Sequence, residues 1–251
     1  MLHTLDVGTG APVLLLHGMP SPPEELVALA ATLAGRRALI PFMPGYAGAP
    51  PATGRQGFAP IETALLALLA ERGVADVDIV GTSAGAYRAI RLALSGRVPV
   101  RSLTLLGGFA GLSPNERDGM RGFARALRDG VDLRGVAVPR MLAKTSVADA
   151  ARVRAVEGWL SLASPDVLIE ELEDLADAPS LLDRVGELDV PITLRVGAED
   201  VAIPPSHSES IASRARDAVL EIVPGVGHAL LVEDFTETAR SVQRAVARSR
   251  T

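Results

Sequence analysis

Three residue types that together can activate a hydroxyl stand in this chain in the order Ser83, Asp200, His228. A serine hydroxyl is a weak nucleophile until a base takes its proton. Imidazole is the usual base, and a carboxylate fixes its tautomer and steadies the imidazolium. Such a set attacks a carbonyl carbon and transfers its acyl group. Ser83 lies in Gly81-Thr82-Ser83-Ala84-Gly85, a G-x-S-x-G pattern. Residues 77–80 before it read as a short buried strand. Ala84 to Leu94 after it read as a helix, with Tyr87, Ile90, Arg91 and Leu94 at helical spacing. A strand turning directly into a helix strains the turn residue and demands small neighbours, here Gly81, Gly85 and Ala86. The alternative is a glycine-rich turn carrying an ordinary serine.

His228 sits in the glycine-flanked loop Gly225-Val226-Gly227-His228, just beyond a predicted strand, and is the expected base. His3 and His207 read as surface histidines. His17, in His17-Gly18-Met19-Pro20, is expected to bond its own loop's backbone, with the role of base as the alternative. For the acid, Asp200 competes with Glu199 on the same loop; the pattern Gly197-x-x-Asp200-x-x-x-Pro204 favours Asp200. Asp76 and Asp78 read as turn and strand-edge residues. The Ala84 N–H falls in the first turn of a helix, where donors are unpaired and the dipole favours negative charge. The turn at Met19 could aim a second N–H at the same point. Two such donors suit the oxyanion that develops on a carbonyl oxygen.

Placing these residues requires strands that alternate with helices. Residues 2–7, 12–16, 38–40, 77–80, 100–106, 191–196 and 218–223 read as strands, the first closing in a hairpin-type turn, Gly8-Thr9-Gly10. Helical patterns cover about 23–34, 58–72, 84–94, 205–216 and 236–248. Alternation of this kind implies an α/β fold: a mainly parallel, twisted sheet of about seven to eight strands with helices on both faces. Sites in such sheets lie beyond the carboxyl ends of the strands, and His17, Ser83, Asp200 and His228 each follow a predicted strand. The rhythm breaks between about 110 and 188. Helical patterns at 115–128, 148–163 and 165–176 come there without a strand. The expected division is a core of 1–109 and 189–251 with a helical cap insertion, 110–188.

Composition narrows the classes. A chain of 251 residues, 48% hydrophobic, can bury a large core. Its net charge is −5 and its arginines are scattered, which argues against a nucleic-acid surface. It has no cysteine, so disulfides, thiol nucleophiles and thiolate metal sites are excluded. The apolar run Ala64–Ala70 is far below the ~18 residues of a membrane span. The first residues lack the basic start and apolar stretch of a signal peptide. The expectation is a cytoplasmic protein, monomer or homodimer, with no cofactor, no metal, and neither nucleic acid nor membrane as partner.

Five motifs in order, His17-Gly18-Met19-Pro20, Pro44-Gly45-Tyr46-x-Gly48, Gly81-Thr82-Ser83-Ala84-Gly85, Gly197-x-x-Asp200-x-x-x-Pro204 and Gly227-His228-x4-Glu233, resemble the motif set of the α/β-hydrolase superfamily. The resemblance covers nearly the whole chain apart from the helical insertion, which corresponds to that family's variable cap. It implies Ser83 as nucleophile, His228 as base, Asp200 as acid, and the Met19 and Ala84 amides as oxyanion hole. The chain departs from the family at Phe42–Ala49, where an Asp-x-Pro-Gly-x-Gly-x-Ser loop is usual, in lacking a first edge strand, and at Asp234-Phe235, where a proline is common. A serine nucleophile argues against haloalkane dehalogenases and epoxide hydrolases, which use aspartate there. Cap length and the run Val190–Gly197 are similar to beta-ketoadipate enol-lactone hydrolases and small carboxylesterases.

The expected activity is hydrolysis of a small, largely apolar ester or lactone through an acyl-enzyme. Carbon–carbon bond hydrolysis, acyl transfer, peroxyacid formation or a lyase step on the same residues are alternatives, as is a non-catalytic ligand-binding role. Trp159, Phe109, Met120 and Met141 are candidate pocket-lining residues, along with Met19 and Met43, each with core packing as its alternative. Arg117, Arg121, Arg125, Arg128 and Arg140 could anchor a substrate carboxylate, though most should be solvated helix faces.

Overall fold

The computed structural model describes residues 2–54 and 56–248. Seven strands form one sheet: β1 (Thr4–Gly8), β2 (Ala11–Leu16), β3 (Arg36–Pro41), β4 (Val77–Thr82), β5 (Val100–Leu106), β6 (Ile192–Gly197) and β7 (Ala218–Val223). Their order is β1-β3-β2-β4-β5-β6-β7, parallel throughout except for β1, which runs antiparallel to β3. The hairpin expected at Gly8-Thr9-Gly10 does not form. β2 gives one edge to β3 and the other to β4, so β1 pairs across with β3 instead, Leu5 opposite Ile40.

The strands are apolar on both sides because both faces are covered. One row of register partners, Leu39, Leu14, Ile79, Leu103 and Ile192, crosses the sheet. It packs under α2 (Phe58–Glu71), α3 (Ala84–Leu94) and α8 (Pro205–Ala212). The alternate residues Val13, Leu15, Ile40 and Val80 face α1 (Pro23–Ala30) and the last helix, α10 (Phe235–Ala247). The sequence placed the end of α1 near Ala34, but the helix stops at Ala30 and the chain turns into β3. Asp78 is not a strand-edge residue. It is fully buried at the start of β4, bonded to Ser102 and paired with Arg36 and Arg101, each at 2.8 Å.

Between β5 and β6 all regular structure among the described residues is helical: α4 (Pro114–Arg128), α5 (Arg134–Met141), α6 (Ala150–Trp159) and α7 (Pro165–Asp177), with 3-10 turns at Ser146–Ala148 and Leu182–Glu187. A capping box at Ser113 and Glu116 starts α4, and the Ser164 side chain caps α7. α5 was not foreseen; Gly135, Val136, Val138 and the internal Pro139 are all poor helix formers. α4 and α7 pack through Ala124, Ile169 and Leu172. Carboxylates are among the groups that tie the insertion to the sheet layer. Buried Glu171 on α7 accepts from the Tyr46 hydroxyl and pairs with Arg88 of α3. Glu233, at the end of the short helix α9 (Leu230–Glu233), accepts the N–H groups of Ala143 at 2.7 Å and Gly227 at 2.6 Å. No helix among the described residues is long and apolar enough to cross a membrane.

Candidate active site

The order of the strands reverses between β2 and β4, and ligands of open α/β sheets bind beyond the carboxyl ends at such a point. The turn after β2 and the turn after β4 meet there. Ser83 has φ 50° and ψ −116°, a left-handed conformation that a non-glycine residue adopts only under constraint. The constraint is packing. A Cβ on Gly85 would run into the carbonyl oxygens of Leu16 and His17, and one on Gly81 into the backbone of Gly85. A Cβ on Gly18 would come within 3.0 Å of the Ser83 Cβ. The two turns can touch only because these positions are glycine.

His17 sets the shape of the first turn. Its ring is buried, with Nδ1 2.8 Å from the Gly18 carbonyl and Nε2 accepting the Met43 N–H at 3.0 Å. Because Nε2 accepts, Nδ1 carries the proton. Burial lowers the imidazole pKa to about 4. His17 is thus a neutral brace for the loop and not the base. The Met19 N–H that follows has no acceptor among the described residues. The Ala84 N–H opens α3 and is one of the donors a helix start leaves free.

Asp200 follows β6 and is buried. Its Oδ1 accepts the N–H groups of Ala202 and Ile203 at 3.0 and 2.8 Å, and its Oδ2 lies 2.7 Å from His228 Nδ1. An acceptor-only carboxylate assigns the proton to Nδ1 and leaves Nε2 the basic nitrogen. The neighbour Glu199 turns away and accepts the Lys144 N–H at 3.0 Å. Gly107 lies beneath the pair at φ 55°; a Cβ there would stand 3.2 Å from both Cε1 and Nδ1 of His228.

Ser83 and His228 line one chamber, with about 30 Å³ open to water centres. Met19, Ser21, Glu25, Thr82, Leu106 and Trp159 complete most of its wall. Met19 also lines a second chamber, of about 80 Å³. It is walled by insertion residues such as Phe123, Leu127, Leu133, Met141 and Leu172 and has no polar lining apart from Arg140. That guanidinium lies over the Phe123 ring, 5.4 Å from its centre.

Of the candidate lining residues, Trp159 faces the first chamber and Met141 the second. Phe109 and Met120 line neither. Phe109 stacks on Tyr87 with ring centres 5.5 Å apart, and Met120 packs at the α4–α7 contact. Met43 is also core, its backbone serving His17. His207 is not a plain surface histidine: it is half-buried, 2.7 Å from Glu116 of the insertion. Sequence reasoning missed Glu25, Ser21, Thr82 and Gly107. Glu25 lies in the first turn of α1 with no motif around it, and only the fold brings it to the chamber of Ser83. Among the described residues, no group of three or more His, Cys, Asp or Glu could hold a metal ion.

Comparison with known proteins bears on the fold and the family. Pimeloyl-[acyl-carrier protein] methyl ester esterase of Neisseria meningitidis serogroup B is 30% identical over 165 residues, 62% of this chain and 63% of that protein. The match spans less than two thirds of the relative's length. A thermophilic esterase from Thermogutta terrifontis superposes with a TM-score of 0.90 at 23% identity, covering 100% of this chain and 94% of that one. An esterase from Exiguobacterium antarcticum gives 0.86 at 19% identity, with 98% and 95% covered. At these identities the solved structures share the fold. The model of the Alpha/beta hydrolase family matches residues 13–241, and the chain belongs to that family.

Proposed function

We propose that this alpha/beta hydrolase cleaves a carboxylic ester of a small alcohol and an apolar acid, through an acyl-enzyme on Ser83. The observation that carries the reading is the shared chamber: Ser83 and His228 open onto one space, with Asp200 bonded behind the histidine. Ser83 Oγ gives its proton to His228 Nε2 and bonds to the carbonyl carbon. The oxygen that becomes negative is held by the Met19 and Ala84 N–H groups. The carbon–oxygen bond to the alcohol then breaks, and His228 passes its proton to the departing oxygen. A water gives a proton to His228 and attacks the acyl carbon. The bond to Ser83 Oγ breaks and the serine regains its proton.

The leaving oxygen must lie within reach of His228, so the alcohol belongs in the chamber His228 lines. The acyl group then belongs in the apolar chamber that Met19 also lines, under the insertion 110–188 acting as a cap. A lactone keeps its alcohol tethered to its acyl part, so two distinct chambers that share Met19 favour an open-chain ester. The relative from Neisseria is named as a methyl ester esterase, which fits a small alcohol.

The test is labelling with a fluorescent fluorophosphonate beside turnover, read as acid release, of methyl esters of rising acyl length. Labelling and turnover should both vanish in Ser83→Ala. A folded wild type that neither labels nor turns over refutes the esterase reading and favours a ligand-binding role.

A further inference from the structure

The His228 chamber carries more polar groups than the reaction above uses. Glu25 and Thr82 both line it, and neither has a part in attack or in oxyanion binding. Thr82 Oγ1 is buried and has no hydrogen-bond partner among the described residues. A buried hydroxyl without a partner is costly, so its position beside Ser83 points to a guest that bonds it. Ser21 Oγ is spent in part, accepting the Gly18 N–H at 3.1 Å, but its own proton is free for the chamber. Glu25 receives a hydrogen bond from the Trp159 side chain, which leaves its second oxygen for the same space.

Size restricts the guest. About 30 Å³ on this measure holds one or two waters, since a single water needs ~10–15 Å³ and two to four polar partners. Glu25, Thr82, Ser21 and His228 Nε2 supply them. We infer that Glu25 and Thr82 hold the hydrolytic water of the deacylation step at His228, in the place the alcohol has left. The inference rests on the esterase reading and adds positioning residues for its second half.

Burial pushes the Glu25 carboxyl up to about 8, against the Trp159 hydrogen bond and with help from the charge of Glu24. At neutral pH the group is therefore an acid that both donates and accepts. Acylation brings its own nucleophile, Ser83. Deacylation depends on where a mobile water sits, so loss of a holder should fall on the second step.

The experiment is pre-steady-state turnover of a methyl ester in quenched flow by wild type, Glu25→Leu, Thr82→Val and Glu25→Gln, with methanol release measured and acyl-enzyme followed by intact-protein mass spectrometry. The burst gives acylation and the steady state gives deacylation. Glu25→Leu and Thr82→Val should each slow deacylation about tenfold, the worth of roughly one hydrogen bond at a reacting atom. Acylation should change less than about threefold, so that acyl-enzyme accumulates and kcat and KM fall together. Glu25→Gln keeps a donor and an acceptor and should retain most of the rate. Equal loss in both steps, or unchanged deacylation in Thr82→Val and Glu25→Leu, overturns the inference while leaving the esterase reading standing. A folded wild type that forms no acyl-enzyme defeats both.

Discussion

Lowering the pH should weaken this protein through one histidine. His17 is buried and its pKa falls from 6.5 to about 4, chiefly by desolvation and then by the charge of Arg88, against its bond to the Gly18 carbonyl and the charge of Glu171. The unfolded chain takes up a proton near 6.5 while the folded protein refuses it until about 4. Stability is therefore lost as pH falls through that window, and the loss levels off below it. The full difference of 2.5 units between these values corresponds to about 3.4 kcal/mol, and about 2 kcal/mol of it is spent by pH 5. The perturbation is His17→Gln, which does not titrate and can still accept the Met43 N–H. Urea unfolding at pH 7.5, 6 and 5 gives the free energy of each protein. Carboxylates and the other histidines contribute to both, so the difference between the two proteins isolates His17. The wild type should lose about 2 kcal/mol more than the variant between pH 7.5 and 5. Parallel loss in the two proteins would refute the account of His17 as a neutral brace.

Two further perturbations test other parts of the structure. Glu171→Leu strands the Arg88 guanidinium, whose Nε and Nη1 already lack partners, and should cost about 3–5 kcal/mol in urea unfolding; Arg88→Met with Glu171→Leu should recover most of that. Gly107→Ala puts a methyl against the His228 ring at a left-handed position, for about 1–2 kcal/mol of strain. Its kcat/KM for methyl esters should fall at least about tenfold, far more than a small drop in Tm explains.

The sheet was legible because its strands are short apolar runs ended by Gly and Pro. The helices α3 and α4 carry clear periods or caps, and their bounds fall within a residue of expectation. Partner choice was not legible. Gly8-Thr9-Gly10 has hairpin composition, yet turn composition says only that the chain reverses, not which strand it then meets. α5 escaped because its helix is held by tertiary contacts, Val138 and Leu142 packing against Val156 and Trp159, and not by propensity. Segment lengths failed for a related reason: α1 and α8 end where the chain must turn back to the sheet, before their helical patterns run out.

The site divides along the same line. Ser83 stands out in the sequence because its own backbone is strained between glycines, and Asp200 and His228 because Gly197 and Gly227 before them lie where the chain packs too closely for a side chain. The groups that shape the space around them need no special backbone. Glu25 sits in an ordinary first helical turn, Glu171 and Arg88 on ordinary helices, and Phe109 and Met120 differ from Trp159 and Met141 only in the direction that packing gives them. Each acts through a partner more than 40 residues away: Glu25 meets Trp159, Glu171 meets Arg88, and Glu233 meets Ala143. A motif records chain geometry, so it marks what the backbone must do. Which acyl and alcohol groups fit is set by side chains that meet only after folding. The family is therefore readable well before any substrate, and the ester proposed here rests on two chambers that share Met19 as a wall.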